Sequence, residues 1–391
     1  MKEFNLKTVE RGSYDVIVVG GGIAGVAAAV AAARSGAATF LIEKSVNLGG
    51  LATNGLISWY EPLCDGQGTQ VVRGIAEELI KLCSQYSFDN IPKRWGGSGH
   101  NAPRNDRYST LFSPTVFSAA LDKFVTDNGV KIRFDTLTTY PVMDGNICEG
   151  VIAESCSGTE FFRAKTVIDA TGDASVIHRA GIPTVEGKNY MTYVAHYCDL
   201  TGAERLSTDS DFSAFRKWMG IGSDMFGNGH PKEMKRISGT NADEITEYIL
   251  TGKACLLKKI KNMDKDSFDI MTLPFMPQLR TIRRLQGATD FNAVDGETYD
   301  DAIGNCGDFR PGGEGKHYQI PFGALYNRDF PNILAAGRII SAPQGDGWEV
   351  ARVIPNCALT GEAAGKAAAL HSLSGYSFEN IRSECMDKIF V

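Results

Sequence analysis

The chain has 391 residues, 43% hydrophobic and 22% charged, with a formal net charge of −6. That length supports a large core and either two domains or one elaborated domain. The mild acidic balance gives no electrostatic case for binding nucleic acid or an anionic membrane. Nine cysteines, an odd number with no CxxC pair and no metal-like cluster, fit free thiols in a reducing cytoplasm better than a disulfide framework. The first residues, MKEFNLKTVERGSYD, lack an apolar h-region. No secretory signal is therefore visible, and a cytoplasmic location is expected.

In chain order, the first strong signal runs from Asp15 to Lys44. An apolar strand, Val16 to Val19, leads into Gly20, Gly22 and Gly25 at GxGxxG spacing. Ile23 and Ala24 open an alanine-rich helix that runs to about Ala33, and a second strand, Thr39 to Ile42, ends on Glu43. Each part suits a dinucleotide. Gly20 permits the tight turn, Gly22 lets the backbone approach a pyrophosphate, and Gly25 lets the helix lie on the sheet. The helix N-terminus offers unpaired N–H groups and partial positive charge to phosphates. Glu43 stands where a carboxylate accepts hydrogen bonds from ribose hydroxyls, with Lys44 beside it. A single membrane span is the competing reading, since Arg34 is the one charge between Val16 and Ile42. The glycines and the break at Ser35-Gly36 argue against it.

The following residues, SVNLGGLATNGL, carry Gly49-Gly50, then Leu51, Ala52 and Thr53. Here the sequence resembles the FAD-dependent oxidoreductases of the glutathione-reductase-like superfamily. The resemblance implies that Gly50 to Ala52 pass close to the cofactor and that Thr53 is a polar contact. Further on, Ser113-Pro114 is a helix start with Ser at N-cap and Pro at N1, and Gly129 ends that helix. Lys131 to Thr136, Thr138 to Met143, Cys148 to Glu154 and Glu160 to Ile168 read as a β-meander. It runs into Ala170-Thr171-Gly172-Asp173, similar to the ATG motif with which the superfamily returns to its cofactor. His178, just after this turn, is expected to pack on the cofactor side, whereas His196 and His230 have no supporting context.

The C-terminal block gives a third match. A strand, Ile333 to Ala336, ends in Gly337-Arg338, and Arg352 precedes Ile354-Pro355-Asn356-Cys357 and an alanine-rich helix. The resemblance implies that Gly337 and Arg338 approach the ribityl chain. It also implies that the helix N-terminus, with Asn356 and Cys357, faces the flavin, where it would favour the charge of the reduced ring. Capping and packing is the competing reading for both residues. The whole pattern most resembles the small FAD-dependent oxidoreductases typified by GG-x-x-T, DATGD, R-x-x-R-R-x-x-G and AGR…R-x-x-P-x-C. Arg280, Arg283 and Arg284 supply the arginine element, which also reads as a solvated basic helix face. A more distant resemblance links the Arg352 segment to fumarate-reductase flavoproteins. Two departures, Thr281 in place of an acid and the segment 343–348 without Ser-His type residues, bear on the substrate.

The expected fold is α/β. A Rossmann-like FAD-binding domain with a β-meander takes residues 1–184 and 319–391, and an inserted α+β substrate or cap domain takes 185–318. No second GxGxxG is present, which argues against a separate NAD(P)H domain. The expected function is an FAD-dependent oxidoreductase that moves a hydride between flavin N5 and a small organic substrate. A flavin monooxygenase and a flavin-bearing electron-transfer subunit are the alternatives. His317 is the preferred general acid or base, since its unperturbed pKa is near neutral, and Tyr318 competes with it. Arg352 is the expected fixed positive charge, with Asp346 or Glu349 as its possible ion-pair partner. The oligomeric state stays open.

Overall fold

Val9–Val19 forms the first strand, β1, and its last four residues are fully enclosed. The computed structural model describes residues 7–102, 107–224, 227–345 and 347–391. After β1 come α1 (Ile23–Arg34) and β2 (Thr39–Ile42), and β2 lies parallel to β1 with Val16 opposite Thr39 and Val19 opposite Ile42. On its other side β1 pairs in parallel with the long strand Gly158–Asp169, Val19 opposite Asp169. That strand changes its outer neighbour along its length. Its first half pairs antiparallel with Ile147–Ser155, and its last three residues pair in parallel with Ile333–Ala335. Leu137–Asp144 completes the meander beside Ile147–Ser155. All belong to one seven-stranded sheet. Lys131–Arg133 is not a meander strand: it is the parallel edge of the same sheet, with Phe40 opposite Lys131.

Five parallel strands therefore stop in register on one carboxyl edge. The residues that follow them are Gly20, Glu43, Phe134, Ala170 and Ala336. Chain order reverses between β1 and Gly158–Asp169, where open α/β sheets form a ligand crevice. Helix α1 is buried on nearly every side because a second helix, Ile354–Ser374, lies across it. Two small residues permit the crossing: a Cβ at Gly361 would collide with the Ala24 carbonyl, and one at Gly365 with the Ala28 carbonyl.

The inserted region has an antiparallel sheet, Lys217–Gly222, Thr192–Asp199 and Phe268–Thr272, with the central strand second in that order. The helix Ala242–Ile260 packs on it, and this core draws on residues from Met191 to Ile282. The inserted region is thus α+β in character. Phe291, Ile303, Cys306 and Tyr318 lie in the first core instead, which puts the return to that core nearer Leu285 than Tyr318. The arginine element is not helical either. Arg283–Leu285 is a short strand antiparallel to Thr184–Glu186.

Candidate functional site

The glycine turn is built as the spacing requires. Gly20 has φ +100°, and a Cβ there would lie 2.6 Å from the Ala170 carbonyl oxygen. A Cβ at Gly25 would overlap the Gly20 carbonyl. Gly22 differs: its φ of −65° is ordinary, and an added Cβ would meet nothing within 4 Å. Its missing side chain faces open space at the start of α1, where Ile23 and Ala24 have no preceding turn to receive their N–H groups. Gly49 donates to the Gly21 carbonyl at 2.8 Å and bridges to Gly22, so the segment Gly50–Ala52 with Leu51 is held beside this opening.

Several predicted side chains are committed to the protein itself. Glu43 is buried and accepts from the N–H groups of Gly21 at 2.6 Å and Ser45 at 2.8 Å. The Thr53 hydroxyl donates to the Leu48 carbonyl at 2.5 Å, which locks the loop from inside. Lys44 is exposed. Thr171 donates from both its N–H and its hydroxyl to Asp169, which also receives Val176 and Ile177. Burial pushes the Asp169 carboxyl up to about 6, against the pull of these donors. Asp169 is thus the anchor of the ATG turn, a role hidden in the sequence because it looks like the last strand residue.

Arg338 joins the two halves of the edge. Its Nε donates to the Gly172 carbonyl at 2.8 Å and its Nη1 to the Leu279 carbonyl at 3.2 Å. Burial lowers its pKa, opposed by the charge of Asp173, which itself accepts from the Ser175 N–H. Gly337 has φ +79° and lies between Ala24 and Cys357. The Cys357 thiol donates to the Arg352 carbonyl at 3.2 Å, and burial pushes its pKa up to about 12, so it is protonated near neutrality. The Asn356 amide donates to the Val350 carbonyl at 2.8 Å, while its buried Oδ1 has no partner.

Two arginines, Arg280 and Arg352, line one narrow cleft at this edge. Arg352 lies with its guanidinium 5.2 Å from the centre of the Trp348 ring, and its buried Nε has no partner. Arg280 faces the same narrow cleft, which Lys188, Tyr190 and Glu349 also line. Among the described residues neither arginine side chain makes a hydrogen bond or ion pair. Burial lowers the Arg280 pKa, and the charge of Arg352 lowers it further. Glu349 accepts from Gly345 N–H rather than pairing with Arg352, and Asp346 lies outside the described residues. Glu61, which the sequence reading missed, lies within electrostatic reach of Arg352. It is buried, and it accepts from the N–H of Ile354 at 3.2 Å, at the start of the long helix. Burial raises its carboxyl to about 7, with Arg352 and Ile354 holding it down. An isolated acid inside the apolar run Trp59 to Leu63 was the available signal.

His317 and Tyr318 sit elsewhere. They belong to the hairpin Ala302–Gly307 and His317–Pro321, and neither hydrogen-bonds to a cradle residue. The Tyr318 hydroxyl donates to Asp308 at 2.9 Å, and Asp308 is held bidentately by Arg310. His317 is exposed opposite Gly307. His178 is exposed beside Thr184. His196, dismissed from sequence, is enclosed: its Nε2 lies 3.0 Å from the Leu56 carbonyl, and burial lowers its pKa to about 4.

The family model for FAD dependent oxidoreductases matches residues 15–249 and 243–389. The chain belongs to that family. Among curated proteins, the digeranylgeranylglycerophospholipid reductase of Methanoculleus marisnigri is 25% identical over 237 residues, 56% of this chain and 52% of the relative. The chain thus spans about half the length of the curated relative it matches. A geranylgeranyl bacteriochlorophyll reductase-like protein from Thermoplasma acidophilum shares the fold, with a TM-score of 0.52 at 15% identity over 96% of this chain and 83% of that one. The p-nitrophenol 4-monooxygenase of Pseudomonas putida gives a TM-score of 0.47 at 14% identity, over 98% and 85%. The protein is an FAD-dependent oxidoreductase, and the residues fit the cofactor. The open face of Gly22, the free first N–H groups of α1, the partnerless Nε of Arg352 and the orphaned Oδ1 of Asn356 leave room and bonding capacity along one edge. Among the described residues no group of side chains suits a metal, and no helix is long and apolar enough to cross a membrane.

Proposed function

We propose that this protein, a member of the glutathione-reductase-like branch of flavoproteins, transfers a hydride between flavin N5 and a small organic substrate. One observation carries the reading: among the described residues Arg280 and Arg352 line one cleft without a hydrogen bond or ion pair, and the charge of Arg352 acts on the buried carboxyl of Glu61, which accepts from Ile354 at the start of helix Ile354–Ser374. FAD supplies the two-electron chemistry when bound. The protein's part is to seat it, charge its surroundings and manage one proton. Gly20, Gly22, Ile23, Ala24 and Gly25 hold the phosphates. Glu43 and Lys44 serve the ribose end, Glu43 through its remaining lone pairs. Gly50 to Thr53 and Thr171 to Asp173 wall the groove, with Gly337, Arg338, Asn356 and Cys357 across from them. Arg352 and Arg280 stabilise negative charge on a neighbouring group, acting in a site of low dielectric. Glu61 holds or releases the proton, because a carboxyl raised to about 7 exchanges near neutrality. It is better placed for this than His317 or Tyr318. The nine free thiols accord with a reducing cytoplasm.

The test is anaerobic mixing of the FAD-loaded enzyme with a metabolite panel. The flavin band, at about 450 nm for oxidised flavins, should bleach with a dehydrogenase substrate and recover with an acceptor. Product formation that requires both NAD(P)H and oxygen would replace this reading with the monooxygenase.

A further inference from the structure

A cavity of about 590 Å³ opens between the ribbon Trp59–Tyr60/Thr110–Leu111 and the cap strand that begins at Lys217. No glycine-cradle residue lines it. Its walls are mainly apolar and aromatic, with Trp59, Phe88, Leu111, Phe112 and Trp218 contributing. Its volume is that of a small-molecule site rather than a packing defect.

Among the described residues three cations line the same cavity, and two are already engaged. Lys217 Nζ bonds both carboxylate oxygens of Asp199, at 2.6 and 2.8 Å. Arg107 reaches Glu314 at 3.4 Å. Arg216 is half-buried, and among the described residues its guanidinium has neither a hydrogen bond nor an ion pair. Burial lowers its pKa, and among the described residues no carboxylate offsets that cost. A desolvated guanidinium without a counter-ion is unfavourable unless a ligand supplies the charge. The enclosed His196 is not that partner, because an imidazole is neutral or cationic and supplies no negative charge. Ser58 adds a polar point on the wall: its hydroxyl accepts from Trp218 Nε1 at 3.0 Å and lies 3.4 Å from His196 Nε2.

We propose that this cavity binds a mainly apolar organic monoanion, a carboxylate whose charged end meets Arg216 and whose body lies on the aromatic walls. Calling that ligand the substrate rests on the hydride-transfer reading, whereas the binding itself does not.

Calorimetric titration of the FAD-loaded enzyme with naphthalene-2-carboxylate and with its neutral carboxamide tests this. The acid should bind at least about tenfold more tightly than the amide, since a charge-assisted bidentate contact is lost with the charge. Arg216→Gln should abolish that preference and leave amide binding unchanged. Leu111→Trp, which fills the cavity, should weaken both. Equal binding of the two compounds, a preference retained in Arg216→Gln, or no binding by protein with an intact flavin spectrum would overturn the proposal. The last result leaves the FAD chemistry untouched. Conversely, tight acid binding by an enzyme whose flavin no metabolite bleaches would sink the hydride reading and not the cavity.

Discussion

Gly22 and Gly25 stand three residues apart in one motif, yet the structure gives them opposite tolerances. Gly25→Ala forces a methyl into the Gly20 carbonyl, and a loss of about 3 kcal/mol is expected from such overpacking. Gly22→Ala meets open space at an ordinary φ, so the urea midpoint of the apoprotein should stay within about 0.5 kcal/mol of wild type. Its FAD affinity, read by flavin fluorescence, should still fall tenfold or more, because the methyl takes the space kept for phosphate. Unchanged affinity would remove Gly22 from the cradle. Two buried titratable groups give opposite pH slopes. His196 has a folded pKa near 4 against 6.5, so the unfolded chain takes up the proton first. Its stabilisation is complete above pH 6.5 and is lost as pH falls toward 4. Glu61 has a folded pKa near 7 against 4.5, so its stabilisation is complete below pH 4.5 and is lost as pH rises to 7. Thermal melts across pH should show the first slope vanish in His196→Gln and the second in Glu61→Gln.

At the scale of elements, the crossing of α1 with helix Ile354–Ser374 fixes where the cofactor edge meets the arginine pair. Gly361→Ala should cost about 2 kcal/mol and lower the melting temperature by a few degrees, since the new methyl meets the Ala24 carbonyl. A melt identical to wild type would mean the helices can slide apart freely. What was readable from sequence follows range. The β1–α1–β2 unit, the helix opening at Pro114 and the strand before Gly337 declare themselves through adjacent residues, by period, caps and glycines. Arg283–Leu285 does not, because its partner is Thr184–Glu186, set by the return of the chain from the cap. A short basic run with no apolar alternation has no local signal for that pairing. Lys131–Arg133 was assigned to the meander for a similar reason. Its strand character was visible, but its neighbour β2 lies across an intervening helix and loops.

Over the whole molecule, two hydrophobic cores frame one functional edge. The first holds the sheet and its crossed helices, and the second holds the inserted region from Met191 to Ile282. The proposed dinucleotide cradle was legible because nearly all of it follows strand ends. The proposed chemical centre was not, because Glu61, Arg280 and Arg352 come from three distant segments. Sequence reasoning accordingly named Arg352, left Arg280 ambiguous and passed over Glu61. The same distance explains the choice of His317, which was made on residue type and not on its place in the fold. The account stands or falls on positive charge at that proposed centre. The midpoint potential of the bound flavin, measured in wild type and in Arg352→Gln by equilibration with a reference dye, tests it most directly. Loss of a charge that favours the reduced cofactor should lower the potential, by about 30 mV for each tenfold change in the two-electron equilibrium. An Arg352→Gln enzyme that retains FAD at the wild-type potential would contradict it.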